Sequence, residues 1–170
     1  MGAAGLFAKE RVELLDGTIV TMCPQTSPHA ASTYRLQRLL TRAFGDTICT
    51  RVQMPIILTD WSEPEPDIAV CAPDPHDYAR GHPTPEHVLL VCEVAHSSLA
   101  YDRSGKAAAY AASAIPEYWI VDIENRVIHV LTEPEPDQRR YRRESQARDG
   151  DMLRAPGGGT LAVSEILPPA

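Results

Sequence analysis

The sequence predicts an α/β (α+β) protein in which a central mixed β-sheet is flanked by helices. Three observations predict this fold: a hairpin signal at Asp16-Gly17, two short apolar runs typical of buried strands, and two segments of helical character. In chain order they give two strands, a helix, three strands, a second helix and further strands. A mixed sheet accommodates that order, whereas an all-parallel doubly wound sheet does not.

The first half of the chain is predicted to begin with an N-terminal β-hairpin. Asp16-Gly17 favours a tight hairpin turn between two apolar runs. Leucines at helical spacing then indicate an amphipathic helix that stops at Gly45. Pro55 indicates that the following strand lies at a sheet edge or contains a bulge. The predicted elements are strands at 11–16, 18–22 and 52–58 and a helix at 30–44.

The second half contains the two most strand-like runs, 67–72 and 87–95, which are predicted to lie at the centre of the sheet. The alanine-rich segment 104–114 is predicted to be a helix, with Asp102 or Ser104 as its N-cap. The remaining elements are strands at 117–122, 126–131 and 139–144 and a short apolar segment at 160–167. With 170 residues and 44% apolar composition, the chain has the size of one domain, spanning 1–170.

The formal net charge of −7 at pH 7 argues against broad, non-specific coating of DNA, because a protein that binds by neutralising phosphates should be basic. The basic strip 139–143 (RRYRR) is interpreted as the solvated face of an edge strand. The first ten residues, MGAAGLFAKE, contain no apolar stretch long enough for a signal peptide or a membrane span. These features predict a cytoplasmic protein with no membrane partner.

Two carboxylates interrupt the central strand-like runs. Asp67 begins its run directly after Pro66, and Glu93 lies near the end of the other run. A buried ionised carboxylate costs several kcal/mol unless a cation, hydrogen-bond donors or a raised pKa compensates. If the two strands are neighbours, both carboxylates can bind one divalent ion, and Mg²⁺ (or Mn²⁺) suits such a site. Asp67 and Glu93 are therefore the candidate metal ligands.

Lys106 is the candidate third catalytic residue. It lies on the helix that follows the strand of Glu93, and Tyr110 lies one turn further on the same helix face. An ammonium there can position an attacking water or neutralise charge on a pentacovalent phosphate. Together with the two acids, this lysine indicates a site for the metal-assisted hydrolysis of a phosphodiester.

Structural interpretations of the same residues stay open. Glu93 can form an ion pair with Lys106, Asp67 can accept backbone hydrogen bonds at a strand start, and Tyr110 can belong to the core. The motif EPEPD occurs at 63–67 and again at 133–137, where it is predicted to form a surface turn. Only the first copy precedes an apolar run, so the motif by itself does not mark the site.

The sequence resembles the putative restriction endonuclease family of the PD-(D/E)xK nuclease superfamily. The matching segments are VELLDGTIVTM, the helix beginning near His29, EPEPDIAVC, the block from YARGHPTPEHVLLVCEVAHSS to AIPEYWIVDIENRVIHVL, GDMLRAP and TLAVSEIL. The resemblance implies a restriction-endonuclease-like core, a magnesium-type metal and phosphodiester cleavage in DNA. It also implies a homodimer, because nucleases of this kind often cut both strands as dimers.

By this resemblance, Asp67 matches the motif aspartate and Glu93 the first acid of the E-x-K element. Ala95 stands where the lysine of that element is expected. The resemblance assigns the role of that lysine to Lys106 on the next helix.

Two accessory positions follow from the same resemblance. Glu13 matches an N-terminal acid that would complete the metal shell, although a place on the hairpin surface is the alternative interpretation. His96 stands where relatives usually carry aspartate, which puts activity in question. A histidine so near a carboxylate can be a pH-sensitive partner or a metal ligand.

Three functions are therefore compatible with the sequence. The leading hypothesis is a magnesium-dependent DNA endonuclease. A degenerate nuclease fold that binds DNA or protein is favoured by the acidic charge and by His96. The third is a structural homo-oligomer that associates through its apolar C-terminal strands.

Overall fold

The computed structural model describes residues 10–169 and is built around a six-stranded sheet. The described residues form ten strands, of which six belong to this sheet. The strands are β1 (Val12–Leu15), β2 (Thr18–Thr21), β3 (Cys49–Val52), β4 (Ile68–Cys71), β5 (Val88–Ala95), β6 (Glu117–Asp122), β7 (Val127–Glu135), β8 (Arg140–Arg148), β9 (Met152–Arg154) and β10 (Thr160–Ala162). Its helices are α1 (Ser27–Phe44), α2 (Leu99–Tyr101), α3 (Ala107–Ala112) and α4 (Val163–Ile166), with a π-helical segment, Asp102–Lys106, between α2 and α3.

The main sheet has the strand order β3-β4-β5-β6-β7-β8. Strands β5 and β6 are parallel, and the other neighbours are antiparallel. The parallel pair requires a crossover, which α2, the π-helical segment and α3 provide. The small sheets β1-β2 and β9-β10 are separate. The predicted mixed sheet and N-terminal hairpin are confirmed.

Each face of the main sheet has its own apolar core. One core joins the sheet to α1, α4 and the β9-β10 hairpin through Leu36, Leu40, Leu90, Trp119, Leu161 and Ile166. The other joins it to α3 and β1 through Leu15, Ala69, Val91, Tyr110, Tyr118 and Ile120. The apolar C-terminal residues thus pack inside their own chain. No helix among residues 10–169 is long and apolar enough to cross a membrane.

The strand predicted at 52–58 is wrong, because β3 ends at Val52. Gln53 adopts a left-handed conformation with φ 52°, which extended strands do not contain. Its N–H donates to the carbonyls of Pro66 and Asp67 at 3.2 Å each. These tertiary hydrogen bonds turn the chain out of the ladder just before Pro55.

The helix predicted at 104–114 begins earlier, at Leu99, and contains a π-helical turn. The N–H of Ala107 bonds to the carbonyl of Asp102, five residues back, which defines this wider turn. Asp102 therefore lies inside the helix rather than at its N-cap, and it is buried.

The second EPEPD motif is not only a surface turn. Its first three residues continue β7 as far as Glu135, and the turn Pro136–Gln138 leads into β8. The basic strip lies on β8, the edge strand of the sheet. Arg140 and Arg142 there pair with Glu135 and Glu133 of β7 at 2.8 and 2.6 Å, and both arginines are exposed. The solvated edge-strand interpretation therefore fits.

Candidate active site

Asp67 and Glu93 lie side by side on neighbouring strands. The antiparallel register pairs Ile68 of β4 with Cys92 of β5, so Asp67, directly before β4, is opposite Glu93. The N–H of Asp67 lies 3.4 Å from Oε2 of Glu93, and Oδ2 of Asp67 accepts the N–H of Val94 at 2.8 Å. The sheet thus brings the two acids together on one face.

Lys106 reaches the same place from the π-helical segment. Its Nζ lies 2.9 Å from Oε1 of Glu93 and 3.3 Å from Oε1 of Glu13, and the residue is only 6% exposed. Tyr110, one turn further on, donates its hydroxyl to Oε1 of Glu93 at 2.8 Å. The lysine and the tyrosine predicted from the sequence therefore both contact the buried acid.

Glu13 does not belong to the hairpin surface. It is 4% exposed, and its Oε2 accepts the N–H of Glu65 at 3.2 Å. The first EPEPD motif covers this side of β1, because Leu14 forms a β-bridge with Glu63. The surface interpretation of Glu13 is wrong for that reason, and its other oxygen faces Lys106.

Asp102 is a fourth buried acid at the site. Its Oδ2 accepts the hydroxyl of Ser98 at 2.6 Å, and it lies near enough to raise the pKa of Lys106. The sequence predicts Asp102 or Ser104 as the N-cap of this helix. The π-helical turn instead directs it inward.

The four acids, Glu13, Asp67, Glu93 and Asp102, share one buried ammonium, and the pKa values reflect this excess of negative charge. Burial raises the pKa of Glu93 to about 8; Lys106 opposes the rise, while Asp67, Asp102 and Glu13 add to it. Burial also raises the pKa of Asp102. For Lys106, burial lowers the pKa, but Glu93, Glu13 and Asp102 outweigh it, so the pKa is raised and the lysine stays charged.

Replacing Tyr110 by phenylalanine removes the hydroxyl that donates to Glu93 and should destabilise the fold by about 1–2 kcal/mol. The hydroxyl favours the ionised form of Glu93, so the loss should be larger at pH 9 than at pH 6. Urea unfolding at the two pH values measures it. Tyr34→Phe, at a tyrosine 63% exposed, is the matched control and should change neither value. Equal stability of Tyr110→Phe and wild type at pH 9 would contradict the hydrogen bond.

Two further residues hold Asp67, and neither is among the site residues that the sequence predicts. Nε2 of His29, in the first turn of α1, lies 3.0 Å from Oδ2 of Asp67. Nε2 of Gln53 donates to Oδ1 at 3.2 Å. The sequence predicts only that a helix begins near His29 and that Gln53 lies within a strand. Their contact with Asp67 depends on tertiary structure, so no local signal could have revealed it.

His96 lines the cavity but forms no side-chain hydrogen bond or ion pair with any residue in 10–169. The contacts of Glu93 are made by other groups, namely Lys106 and Tyr110. The geometry therefore gives His96 no part in holding either acid.

The acids open into a cavity of about 270 Å³. Besides the four acids and Lys106, it is lined by Arg11, Gln25, Thr26, His29, Gln53, His96, Ser98 and Tyr101, among others. Within residues 10–169, no three His, Cys, Asp or Glu side chains are arranged to enclose an ion by themselves. An ion bound here would therefore have at most two of these side chains as ligands, and water or substrate oxygens would complete its coordination.

The unused acceptor positions fit such an ion. A carboxylate has about four acceptor positions. Oε1 of Glu93 is used by Lys106 and Tyr110, whereas Oε2 receives only the long bond from Asp67. Oδ2 of Asp67 is used by Val94 and His29, whereas Oδ1 receives only Gln53. Oε2 of Glu93 and Oδ1 of Asp67 thus each keep an unused acceptor position, which matches the one or two carboxylates by which Mg²⁺ is usually bound.

The fold is similar to that of "a putative nuclease belonging to DUF820" from Anabaena variabilis ATCC 29413, known from a crystal structure. The likeness has a TM-score of 0.69 and covers 93% of this chain and 90% of that chain, at 10% sequence identity. The sequence matches no curated protein. The mixed sheet, its flanking helices and this likeness define a nuclease-type fold.

The sequence places the chain within one group of such proteins. The model of the Uma2 family, described as "Putative restriction endonuclease", matches residues 6–164. The chain belongs to this family, so the resemblance seen in the sequence is confirmed.

Proposed function

We propose that this protein is a Mg²⁺-dependent DNA endonuclease, with Mn²⁺ as the alternative metal, that hydrolyses phosphodiester bonds by the PD-(D/E)xK arrangement. In this proposal Asp67 and Glu93 hold the ion and Lys106 assists catalysis. Membership of a restriction endonuclease family supports it. The observation that carries it is a buried group of four carboxylates for which residues 10–169 supply a single ammonium, that of Lys106.

The excess of buried negative charge over positive charge favours the binding of a further cation. With all four acids ionised and Lys106 charged, the group has a net charge of about −3 before any contribution from His29. Each uncompensated buried charge costs several kcal/mol. In the metal-free protein, protonation of Glu93, whose pKa burial raises to about 8, relieves part of this penalty. A divalent ion on the unused acceptor positions of Asp67 and Glu93 would relieve it with both acids ionised.

The chain's own residues provide the remaining parts of a hydrolytic site. Lys106 has three N–H donors, and Glu93 and Glu13 use two of them. The third donor is available to a phosphate oxygen or to an attacking water, where it stabilises the negative charge that develops in the transition state. When bound, a divalent ion would polarise the phosphate and lower the pKa of a water.

Calorimetry with Mg²⁺, followed by cleavage assays on plasmid and on single-stranded DNA, tests the proposal. Wild type should bind Mg²⁺ and cut at least one substrate, and EDTA should stop the reaction. Asp67→Asn should lose the binding heat. Asp137→Asn changes the aspartate of the second EPEPD motif, on the protein surface, and should behave as wild type. Absence of Mg²⁺ and Mn²⁺ binding by wild type would overturn the proposal.

The same assays separate the enzyme from a catalytically degenerate binding module. The acidic net charge and the histidine at position 96 favour such a module. A module would retain DNA in a gel-shift experiment without cutting it, even when loaded with Mg²⁺ or Mn²⁺. Cleavage that depends on Asp67 would exclude this second function.

We further propose that the enzyme acts in the cytoplasm as a homodimer, because nucleases of this kind often cut the two strands of a duplex with two copies of the site. Sedimentation velocity of the protein with and without a short duplex checks the oligomeric state. A monomer under both conditions, in a preparation that cuts both strands, would contradict the dimer.

A further inference from the structure

Asp67 is held by donors from three different parts of the chain. Its Oδ2 accepts the N–H of Val94 and faces Nε2 of His29, and its Oδ1 accepts the amide of Gln53. The side chains of Asp67 and His29 are only 12% and 16% exposed. Water therefore contributes little to the orientation of this carboxylate, and the protein donors determine it.

The proton position on the His29 ring can be inferred from the groups around its two nitrogens. Nδ1 is buried and has no hydrogen-bond partner within residues 10–169. A proton on that nitrogen would be a buried donor without an acceptor, which is unfavourable, whereas Nε2 has Oδ2 of Asp67 at 3.0 Å. The hydrogen bond therefore runs from Nε2–H of His29 to Oδ2 of Asp67.

We propose that His29 is a positioning residue of the active site, which engages Oδ2 of Asp67 through Nε2–H and so leaves Oδ1 directed at the cation. The cation in this statement rests on the proposed function, whereas the hydrogen bond and its effect on Asp67 do not. Donors of this kind fix the orientation of the ligand that holds a metal, and losing one typically weakens metal binding 10- to 100-fold.

The helix that carries His29 lies in a different layer of the fold from the helix that carries Lys106. His29 lies in the first turn of α1, an 18-residue helix on the opposite face of the sheet from Lys106. Leu36, Leu39 and Leu40 anchor that helix in the core. The ring thus reaches Asp67 past the end of β4 and connects the site to the second layer of the fold.

Two measurements on the metal-free protein test the hydrogen bond. In ¹⁵N NMR of wild type, Nε2 of His29 should be protonated, and a bare Nε2 would overturn the proposal. Crystal structures of His29→Leu and His29→Gln test the effect on Asp67. The carboxylate should rotate in the leucine variant and keep its orientation in the glutamine variant, which retains a donor. An unchanged Asp67 in His29→Leu would also overturn the proposal.

Calorimetry tests the consequence for the ion. His29→Leu should bind Mg²⁺ 10- to 100-fold more weakly than wild type, and His29→Gln should recover most of the loss. His76→Leu, at an exposed loop histidine, is the matched control and should bind as wild type. Equal affinity of His29→Leu and wild type refutes the positioning role. If wild type itself binds no Mg²⁺, the proposed function fails, and the two metal-free measurements still decide the role of His29.

Discussion

Replacing Glu93 by glutamine should lower DNA cleavage by on the order of a thousandfold and at the same time make the metal-free protein more stable. Glutamine keeps an oxygen for Lys106 and Tyr110 but removes a buried negative charge and a metal ligand. Activity and stability are thus expected to move in opposite directions at one side chain. The change should be measured by plasmid cleavage with Mg²⁺ and by urea unfolding without it.

The pKa of Glu93 gives the sign of the stability change. It is about 8 in the folded protein, mainly because of burial, against an ordinary value of 4.5. Between these values the folded state binds a proton that the unfolded state lacks, so the stability of wild type falls as pH rises. The variant does not titrate there. Its advantage should be absent at pH 4 and reach roughly 3 kcal/mol near pH 7.

A second glutamate provides the control for this experiment. Burial also raises the pKa of Glu117, which accepts a hydrogen bond from Trp119. Glu117 does not line the cavity, so Glu117→Gln should leave cleavage unchanged. Cleavage by Glu93→Gln at the wild-type rate would show that the reaction does not need this carboxylate. A Glu93→Gln protein less stable than wild type at pH 8 would show that the buried charge does not limit stability.

Replacing Lys106 by methionine should destabilise the protein by about 3–5 kcal/mol at neutral pH, because it leaves the buried carboxylates without their ammonium. The loss should shrink as pH falls, since protonation of the acids removes the repulsion. It should also shrink when Mg²⁺ is added, because an ion that binds only the folded state stabilises it. Denaturant unfolding at pH 5 and pH 8, with and without Mg²⁺, measures all three effects.

The double variant Lys106→Met/Glu93→Gln isolates the interaction between the two side chains. Its stability should exceed that of Lys106→Met alone, because one of the unpaired charges is gone. Cleavage by Lys106→Met in Mg²⁺ should fall 100- to 1,000-fold, as for loss of one donor to the transition state. A Lys106→Met protein as stable as wild type at pH 8 would show that the lysine is not compensating buried acids.

The sequence predicted those parts of the site that depend on local pattern. Asp67 and Glu93 could be found because a carboxylate at or inside an apolar strand is unfavourable without compensation, and the register of β4 and β5 places them together. Lys106 and Tyr110 could be found because helical spacing puts them on one face. These predictions needed only the chain around each residue.

The predictions that failed concern residues whose positions depend on contacts between distant segments. Gln53 leaves the strand because of hydrogen bonds to residues 66 and 67, and Glu13 is buried because 63–65 covers β1. The structures of the two EPEPD segments also depend on contacts with distant residues. Identical letters form a bridge to β1 in one place and the end of β7 in the other, so their neighbours decide their structure.

The π-helical turn between α2 and α3 sets the rotational phase of the helix on either side of it. Lys106, at the end of this turn, and Tyr110, after it, face Glu93. Leu99 and Tyr101, before the turn, pack against the core. The wider turn allows both orientations in one continuous helix. A single-residue insertion or deletion can therefore be absorbed at this point while the ammonium keeps its place. Other members of the family are expected to vary by one residue in the interval between acid and lysine, and a search pattern of fixed spacing would overlook them.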